Sequence, residues 1–479
     1  MANWRGDVAM TKNTTMDPDR LFPIDPSTRS LARDLFRDIE GLPILSPHGH
    51  TDPAWFATDA AFADPAQLFV TPDHYVFRML FSQGVPLEAL GVPRADGGRF
   101  ETDGRAIWRL FAKNYHLFRA TPSELWIDHA LQEVFGVKER LNAQTADAVY
   151  DHVAACLADP AFRPRALFDR FNIEVLATTD NAFDPLGHHQ TIRDSDWGGR
   201  VIPTYRPDAV VDPDNGDFLA NLAGFGDLTG EDTECWTGYL AAHRARRAAF
   251  IAMGATASDH GHPTARTLDL PHTEAQALFH RVRAGASAQD HEAFRAQMLT
   301  EMARMSVDDG LVMQIHPGSK RNHSGPMMQM FGPDKGFDIP AATDYVSALR
   351  PLLEAYGTNP KLRLILFTLD ETTYTRELAP LAGVYPAVRL GPAWWFFDSP
   401  EGMRRYREAV TETAGFYNTA GFNDDTRAFC SIPARHDVAR RVDCAYLAGL
   451  VRTGRLREDD AHEVAHDLTY GLAKRAYNL

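Results

Sequence analysis

The sequence predicts an α/β protein, a (β/α)8 TIM-type barrel with a helical insertion after the first strand. From about residue 170 onward, short apolar runs alternate with helix-length segments, the pattern of parallel strands joined by helices. Nearly all of these runs end in a charged, histidine or aromatic residue, as expected where strand ends build a site at a barrel mouth. The chain has 479 residues, and a minimal barrel needs only about 250, so an insertion has room.

Composition argues against several classes of partner. The net charge of -15 argues against nucleic acid, which calls for a basic surface. No apolar stretch approaches the roughly 18 residues of a membrane span, and the N-terminal segment has no apolar signal core. We therefore expect a cytoplasmic protein that binds no membrane. The four cysteines, Cys156, Cys235, Cys430 and Cys444, lie far apart, so we expect reduced and buried thiols.

The N-terminal part of the chain leads into the first strand. Residues 1–26 are expected to form an extension, and residues 27–479 the barrel domain, which begins with an amphipathic helix over residues 27–40. The first strand follows and ends in His48 and His50. Residues two apart point to the same side of a strand, so both imidazoles can reach one metal ion.

The insertion is expected at about residues 55–168, where the pattern is helical throughout. Thr71 followed by Pro72 is a helix start signal, with Thr71 as the N-cap and Pro72 at the first helical position. This places His74 and Tyr75 in the first turn of that helix.

Seven further strands follow the insertion. They are predicted within residues 173–180, 201–208, 252–261, 310–317, 362–370, 387–395 and 416–427. The fifth strand ends in His316 and the eighth carries Asp425 and Arg427. Closing helices are expected over residues 436–479.

His48, His50, His316 and Asp425 are candidate metal ligands. A catalytic zinc ion takes about three protein ligands and keeps one position open. A single histidine at a strand end is more often structural than a ligand. Three histidines and an aspartate at three strand ends of one barrel mouth favour a metal site.

These residues resemble the amidohydrolase superfamily, and further motifs narrow the resemblance to the uronate isomerase (glucuronate isomerase) family from about residue 20 to the end. The motifs are Asp73-His74-Tyr75, residues 203–208 (PTYRPD), 258–261 (SDHG), 393–396 (AWWF), 425–427 (DTR), and Ser431 through Arg435-His436. The resemblance implies an aldose–ketose isomerase that interconverts D-glucuronate with D-fructuronate, and D-galacturonate with D-tagaturonate. The proton would move between C2 and C1 through an enediol.

The resemblance also implies roles for single residues. Asp425, beside or on the metal, would work as acid and base, and Arg427 would stabilise the enediolate. His74 and Tyr75 would reach in from the insertion as further proton-transfer groups; otherwise they belong to a helix turn packed on the barrel rim.

Arg206 is a candidate clamp for the uronate carboxylate, because guanidinium and carboxylate match in two parallel hydrogen bonds. Its alternative is a surface ion pair with Asp208. Asp259 and His260 are expected to bind sugar hydroxyls or to orient other side chains.

Trp394 and Trp395 are expected to pack the wall of the site rather than touch sugar. Arg435 and His436 lie near a helix start, where they could equally be caps or support the site from behind.

One divalent metal, zinc, is the expected cofactor. The sixth strand ends in residues 367–370 (FTLD) without the histidine of two-metal members of the superfamily. An extra acid, Asp424, precedes Asp425. Asp425 falls in the functional place because Arg427 lies two residues on, and the two would share a side of an extended strand.

Two other functions remain open. One is a mononuclear metal-dependent hydrolase or decarboxylase on the same scaffold, which would act through a metal-bound water. The other is a sugar-acid binder without turnover. In each case the partner is a small molecule, and we expect the chain to form a homo-oligomer.

Overall fold

The computed structural model describes residues 16–285 and 287–479, so most of the predicted extension lies outside the described residues. Seven parallel strands lie at the places where apolar runs predicted them. They are Ile44–Ser46, Ile173–Ala177, Val201–Ile202, Ala257–His260, Val312–Ile315, Leu364–Leu366 and Val388–Leu390. Two short strands, Asp180–Asn181 and Tyr205–Arg206, continue the second and third strands.

The strands pair in chain order. Each pairs in parallel with the next one along the chain, from the first to the seventh. Almost every residue of these strands is buried, as expected of a parallel sheet covered by helices in a (β/α)8 barrel. The predicted fold class is confirmed.

The eighth position of the barrel is irregular. Thr419 forms a single parallel bridge with Leu390 of the seventh strand. On the other side the Asp425 N–H donates to the His48 carbonyl at 3.2 Å, and the His50 N–H donates to the Thr426 carbonyl at 3.0 Å. The ring is thus closed by backbone hydrogen bonds at His48, His50 and Asp425, three of the candidate metal ligands, where a regular eighth strand was predicted.

The helices bury their apolar faces against the barrel, and all but the short last one lie around its outside. Those after the second strand are Gly187–Arg193, Asp208–Val211, Phe218–Thr229, Trp236–Ala252, His272–Arg283, Ala288–Asp309, Gly325–Phe331, Val346–Tyr356, Ala379–Val384, Pro400–Ala414, Ile432–Arg452, Glu458–His466 and Leu472–Ala476. The first helix, Pro26–Ile39, packs through Leu31 and Leu35 on the long helix Ile432–Arg452. It matches the helix predicted over residues 27–40.

Between the first and second strands the chain is helical. The α-helices there are Pro53–Thr58, Pro65–Phe69, His74–Ser82, Gly104–Lys113, Pro122–His129, Ala146–Leu157 and Pro164–Arg170. Trp108, Phe111 and Phe118 are fully buried among them. We propose that residues 55–168 are one insertion into a barrel domain that spans residues 27–479.

The helix that carries His74 starts later than predicted. Its N-cap is Asp73, whose carboxylate accepts from the Tyr75 N–H at 2.8 Å. The predicted cap, Thr71, instead donates its hydroxyl to the Leu90 carbonyl. Aspartate caps a helix as well as threonine does, and tertiary contacts decide between them. His74 and Tyr75 still lie in the first turn.

The C-terminal segment fills the inside of the barrel. Ala473 packs against inward-facing residues such as Leu45 and Val175. A Cβ at Gly421, where φ is +76°, would lie 2.8 Å from the Ala473 nitrogen, so only glycine fits there. The buried Tyr477 hydroxyl donates to Gln314 at 3.2 Å.

Two chain-wide expectations can be compared with the structure. All four cysteines are free thiols, but only Cys430 and Cys444 are buried; Cys156 and Cys235 are half-buried, contrary to the prediction. None of the helices in residues 16–285 and 287–479 is both long and apolar enough to cross a membrane.

Candidate active site

The site is centred on His48, His50 and Asp425. The Nε2 atoms of the two histidines lie 3.3 and 3.0 Å from Oδ1 of Asp425. The backbone bond between Asp425 and His48 fixes this approach. Asp425 has a φ of +41°, a left-handed conformation that aspartate tolerates better than most residues. This turn aims the carboxylate at the two imidazoles.

The same three residues meet the requirements of a metal site. One donor atom from each lies within 4.8 Å of the others. Bonds of about 2.1 Å to one metal put neighbouring ligand atoms roughly 3 to 3.4 Å apart, which matches the observed separations. Asp425 Oδ1 is buried and accepts no well-formed hydrogen bond, as expected of an atom placed for an ion. The group can therefore hold a metal ion.

Burial and neighbouring charges set the protonation of these residues. Burial lowers the pKa of His50 to about 4, so its imidazole is neutral, the form that binds metal. Burial alone would also lower the pKa of His48, but the carboxylates of Asp259 and Asp425 raise it. Burial would raise the pKa of Asp425, and the two imidazoles hold it well below the usual range.

His316 does not join this group. Its Nε2 lies 2.8 Å from Oδ1 of Asp259, and its ring centre is 6.1 Å from that of His48. It lines the cavity from the fifth strand, as predicted.

Arg206 pairs with Asp259 instead of Asp208. Its Nε donates to Asp259 Oδ2 at 2.7 Å, and an Nη lies on the same oxygen. Asp208 accepts from the Gly261 N–H. The Arg206 side chain is one-quarter exposed (25%) and lines the cavity. The alternative to a substrate clamp, a surface ion pair with Asp208, is not found among the described residues.

Asp259 and His260 lie behind the cavity wall. Asp259 is fully buried and touches Arg206 and His316, so it is placed to orient these side chains. His260 is also fully buried, 3.1 Å from the Ser258 hydroxyl, and is not among the residues that line the cavity.

His74 and Tyr75 enter the cavity from the insertion, as expected. Burial raises the pKa of Tyr75 well above its usual value, so the phenol carries its proton. Burial, with Arg427 and Arg78 nearby, lowers the pKa of His74, so its imidazole is neutral.

Asp424 and Arg427 lie on either side of Asp425 in the sequence. Asp424 turns away and lies 3.1 Å from His436 Nε2, so Asp425 is the acid that faces the histidines. The left-handed backbone at Asp425 means that Arg427 does not share a side of an extended strand with it, contrary to the prediction. Arg427 still lines the cavity, 3.8 Å from Asp334.

Trp394 has a role that the sequence did not indicate. Its indole N–H donates to Oδ2 of Asp425, whereas only wall packing was predicted. Its ring also packs on Phe367 and His316, with centroid distances of 5.6 and 5.2 Å. The tryptophan thus fixes the carboxylate oxygen that faces away from the histidines.

The long segment after the fifth strand also reaches the cavity, through Arg321, Asp334, Gly336 and Asp338. Arg321 pairs with Asp338 at 2.8 Å. A Cβ at Gly336, where φ is +77°, would lie 3.1 Å from the His74 carbonyl, so this segment closes tightly on the insertion. The sequence analysis did not identify these residues. The one feature that could have indicated them is the set of charged residues in a long loop after a strand that carries a candidate site residue.

Known proteins resemble this chain over almost its whole length. The sequence matches the glucuronate isomerase family over residues 26–477. It is 66% identical over 465 residues to the uronate isomerase of Rhizobium meliloti (strain 1021), covering 97% of this chain and 99% of that protein.

Solved structures of glucuronate and uronate isomerases also resemble this chain. The crystal structure of glucuronate isomerase from Caulobacter crescentus superposes with a TM-score of 0.96 at 59% identity and 97% coverage of both chains. The uronate isomerase of Thermotoga maritima gives a TM-score of 0.90 at 26% identity, covering 97% of this chain and 99% of that one. The resemblance drawn from the motifs is confirmed, and the chain belongs to the glucuronate isomerase family.

Proposed function

We propose that this chain is an aldose–ketose isomerase of hexuronates, interconverting D-glucuronate with D-fructuronate and D-galacturonate with D-tagaturonate. One observation carries the proposal. A single cavity brings together a carboxylate, a phenol, an imidazole and two guanidinium groups, those of Asp425, Tyr75, His74, Arg206 and Arg427. Moving a proton between two carbons beside oxygen requires a base, an oxygen acid and cationic support.

The metal site belongs to this proposal. His48, His50 and Asp425 would hold one divalent ion, for which zinc is expected from the N and O donors. The fourth predicted ligand, His316, would have to leave Asp259 to join them. The bound ion would polarise substrate oxygen atoms, or it would chiefly hold the Asp425 carboxylate and keep it ionised.

Asp425 is placed to move the proton. Trp394 holds one carboxylate oxygen, and the other faces the histidines at the cavity floor. We assign to Asp425 the removal of the C2 proton and its return at C1. Tyr75 would donate its proton to the C1 oxygen as the enediol forms and take up the proton of the C2 hydroxyl as the C2 ketone forms, while Arg427 stabilises the negative charge on these oxygens.

Arg206 is assigned to the substrate carboxylate. Asp259 holds the guanidinium plane from behind, so its orientation is set before the substrate arrives. Asp259 is thereby a positioning residue. His260, which does not reach the cavity, would act on the site only through its neighbours.

The hydrolase or decarboxylase alternative has no observation of its own. A hydrolase or decarboxylase would use the same metal ligands as an isomerase. Only the isomerase reaction also needs the phenol and the imidazole that the insertion supplies. The relatives named above are isomerases, which also disfavours the alternative.

Proton NMR with zinc-loaded protein tests the proposal. D-glucuronate should give ketose signals, whereas D-glucose, which lacks the carboxylate, should give none at matched concentration. Arg206→Lys should raise KM for D-glucuronate, because a single ammonium cannot replace the paired guanidinium contacts. If neither D-glucuronate nor D-galacturonate gives a ketose, the isomerase proposal is wrong. The hydrolase alternative would then be tested with amides, esters and lactones.

We also propose that the chain forms a homo-oligomer in the cytoplasm. Some apolar side chains are strongly exposed, among them Ile24 at 93% and Val384 at 68%. Light scattering after size exclusion should give a multiple of the 53.4 kDa chain mass. A mass of one chain at micromolar concentration would contradict the oligomer.

A further inference from the structure

Arg435 is a fully buried cation directly behind the site, with 1% exposure. It lies in the first turn of the helix Ile432–Arg452. Its sequence position left open whether it caps that helix or supports the site. The contacts of its guanidinium group decide between these roles.

The guanidinium reaches the eighth segment of the barrel. Its Nη1 donates to the Asp424 carbonyl at 3.1 Å. That carbonyl belongs to the peptide that joins Asp424 to Asp425, where the backbone turns left-handed. His436 holds the same turn through the Asp424 carboxylate. The direction of the Asp425 side chain therefore depends on this turn being held.

The same guanidinium also contacts the seventh strand and the insertion. It forms an ion pair with the buried Asp398, after the seventh strand. It lies 3.6 Å from the centre of the Trp126 ring and 5.7 Å from that of Tyr75. Both rings come from the insertion, and cation–π contacts are stronger where water is excluded.

We propose that Arg435 is a positioning residue that holds Tyr75 of the insertion and Asp425 of the eighth barrel segment in place relative to each other. This inference rests on the proposed function and adds to it. Tyr75 and Asp425 come from parts of the chain about 350 residues apart. The Arg435 guanidinium contacts the backbone next to Asp425 on one side and the rings of the insertion on the other. A displacement of about 1 Å between reacting groups can cost on the order of a hundredfold in rate.

A second buried arginine offers a matched control. Arg407, 4% exposed, donates from Nε and Nη2 to Asp443 at 2.6 and 2.8 Å. This pair joins Pro400–Ala414 to the same long helix that carries Arg435. Arg407 is not among the cavity-lining residues. Removing either arginine leaves a buried carboxylate, Asp398 or Asp443, without its ion-pair partner, so both changes should lower stability in the same way.

The test compares Arg435→Met, Arg435→Lys and Arg407→Met with the wild type, using D-glucuronate and zinc. Arg435→Met should lose on the order of a hundredfold in kcat with KM nearly unchanged, the signature of an interaction made in the transition state. Arg407→Met should show a similar fall in Tm and keep its kcat. Arg435→Lys keeps the charge but cannot span all the contacts, so its kcat should be intermediate.

The possible failures can be told apart. An equal loss of kcat in Arg435→Met and Arg407→Met would overturn the positioning role, as would a rise in KM alone. If Arg435→Met does not fold, Arg435→Lys decides: reduced kcat at near-normal Tm supports the role, and full kcat overturns it. A wild type that forms no ketose would overturn the proposed function itself.

Discussion

Tyr75 shows how the environment of one side chain defines its chemistry. Tyr75 is half-buried in the cavity beside His74, with ring centres 4.6 Å apart, and this burial raises the pKa of the phenol, so it keeps its proton. We predict that Tyr75→Phe, which keeps the ring and removes the hydroxyl, lowers kcat about a hundredfold through loss of proton transfer. Steady-state kinetics with D-glucuronate measure this, with thermal unfolding as the check on folding. A kcat within about twofold of the wild type would remove Tyr75 from the mechanism.

Trp394 makes a separate prediction at the residue scale. Trp394→Phe removes the N–H that holds Asp425 Oδ2 but keeps an aromatic ring against Phe367 and His316. We expect kcat to fall about tenfold, because a hydrogen bond to a charged group is worth about 1.5–3 kcal/mol. KM should stay nearly constant. A variant that raises KM at constant kcat would show that the indole binds substrate rather than holding the carboxylate.

Single residues differ in how far the sequence predicts them. His48 and His50 follow from covalent spacing, since a strand puts alternate residues on one side. The contact between Trp394 and Asp425 depends on how the seventh and eighth strand ends turn toward each other, which no local pattern shows. His316 was predicted as a metal ligand, and that role stays a prediction; its contact with Asp259 is a tertiary preference that spacing does not indicate.

At the scale of elements, the insertion contains a half-buried acid, Asp128, that makes stability depend on pH. The Tyr115 hydroxyl donates to Asp128 at 2.8 Å, and burial raises the pKa of Asp128 to about 6. An unfolded aspartate titrates near pH 3.9, so between these values the folded state keeps a proton that the unfolded chain has lost. Stability from this group therefore falls as pH rises through that window.

Asp128→Asn removes this titration. Between pH 4 and pH 7 we expect the wild type to lose on the order of 2 kcal/mol more unfolding free energy than the variant, given about 1.4 kcal/mol per pKa unit. Urea unfolding at several pH values in that range measures the difference. Parallel pH profiles for the two proteins would contradict it.

The elements themselves were predictable to different degrees. Seven strands and the first helix could be located because apolar periodicity is local and strong there. The eighth strand could not, because Gly421 and Asp425 take positive φ values when the ring closes on the first strand. The N-cap at Asp73 was missed because Thr71 carries an equally good local signal and finds a partner in Leu90 instead.

At the scale of the whole molecule, the candidate metal site joins the first strand to the eighth segment of the barrel. An ion that binds the folded state alone stabilises the chain, by about 2.7 kcal/mol at a hundred times its dissociation constant. We predict that chelation lowers both Tm and activity, and that zinc restores both. His50→Asn should lose the zinc-dependent rise in Tm. His152→Asn, which removes an imidazole bonded to the Phe135 carbonyl in the insertion, should keep it.

The chelation and zinc experiment tests the stability of the fold as well as catalysis. If chelation leaves Tm and activity unchanged after exhaustive dialysis, His48, His50 and Asp425 do not hold a metal that matters to either property. A rise in Tm with zinc that His50→Asn retains would place the ion elsewhere. The order of the strands, by contrast, follows from the βαβ pattern and needs no ion.

The most direct single measurement is proton NMR of D-glucuronate in deuterated water, run with the wild type and with Asp425→Asn. With the wild type we predict D-fructuronate signals and solvent deuterium at carbon, because the proton passes through an exchangeable carboxylate. Asp425→Asn should slow both by about 100- to 10,000-fold, the range for loss of a general base. Unchanged ketose formation by Asp425→Asn, or none by the wild type, would contradict the mechanism centred on this residue.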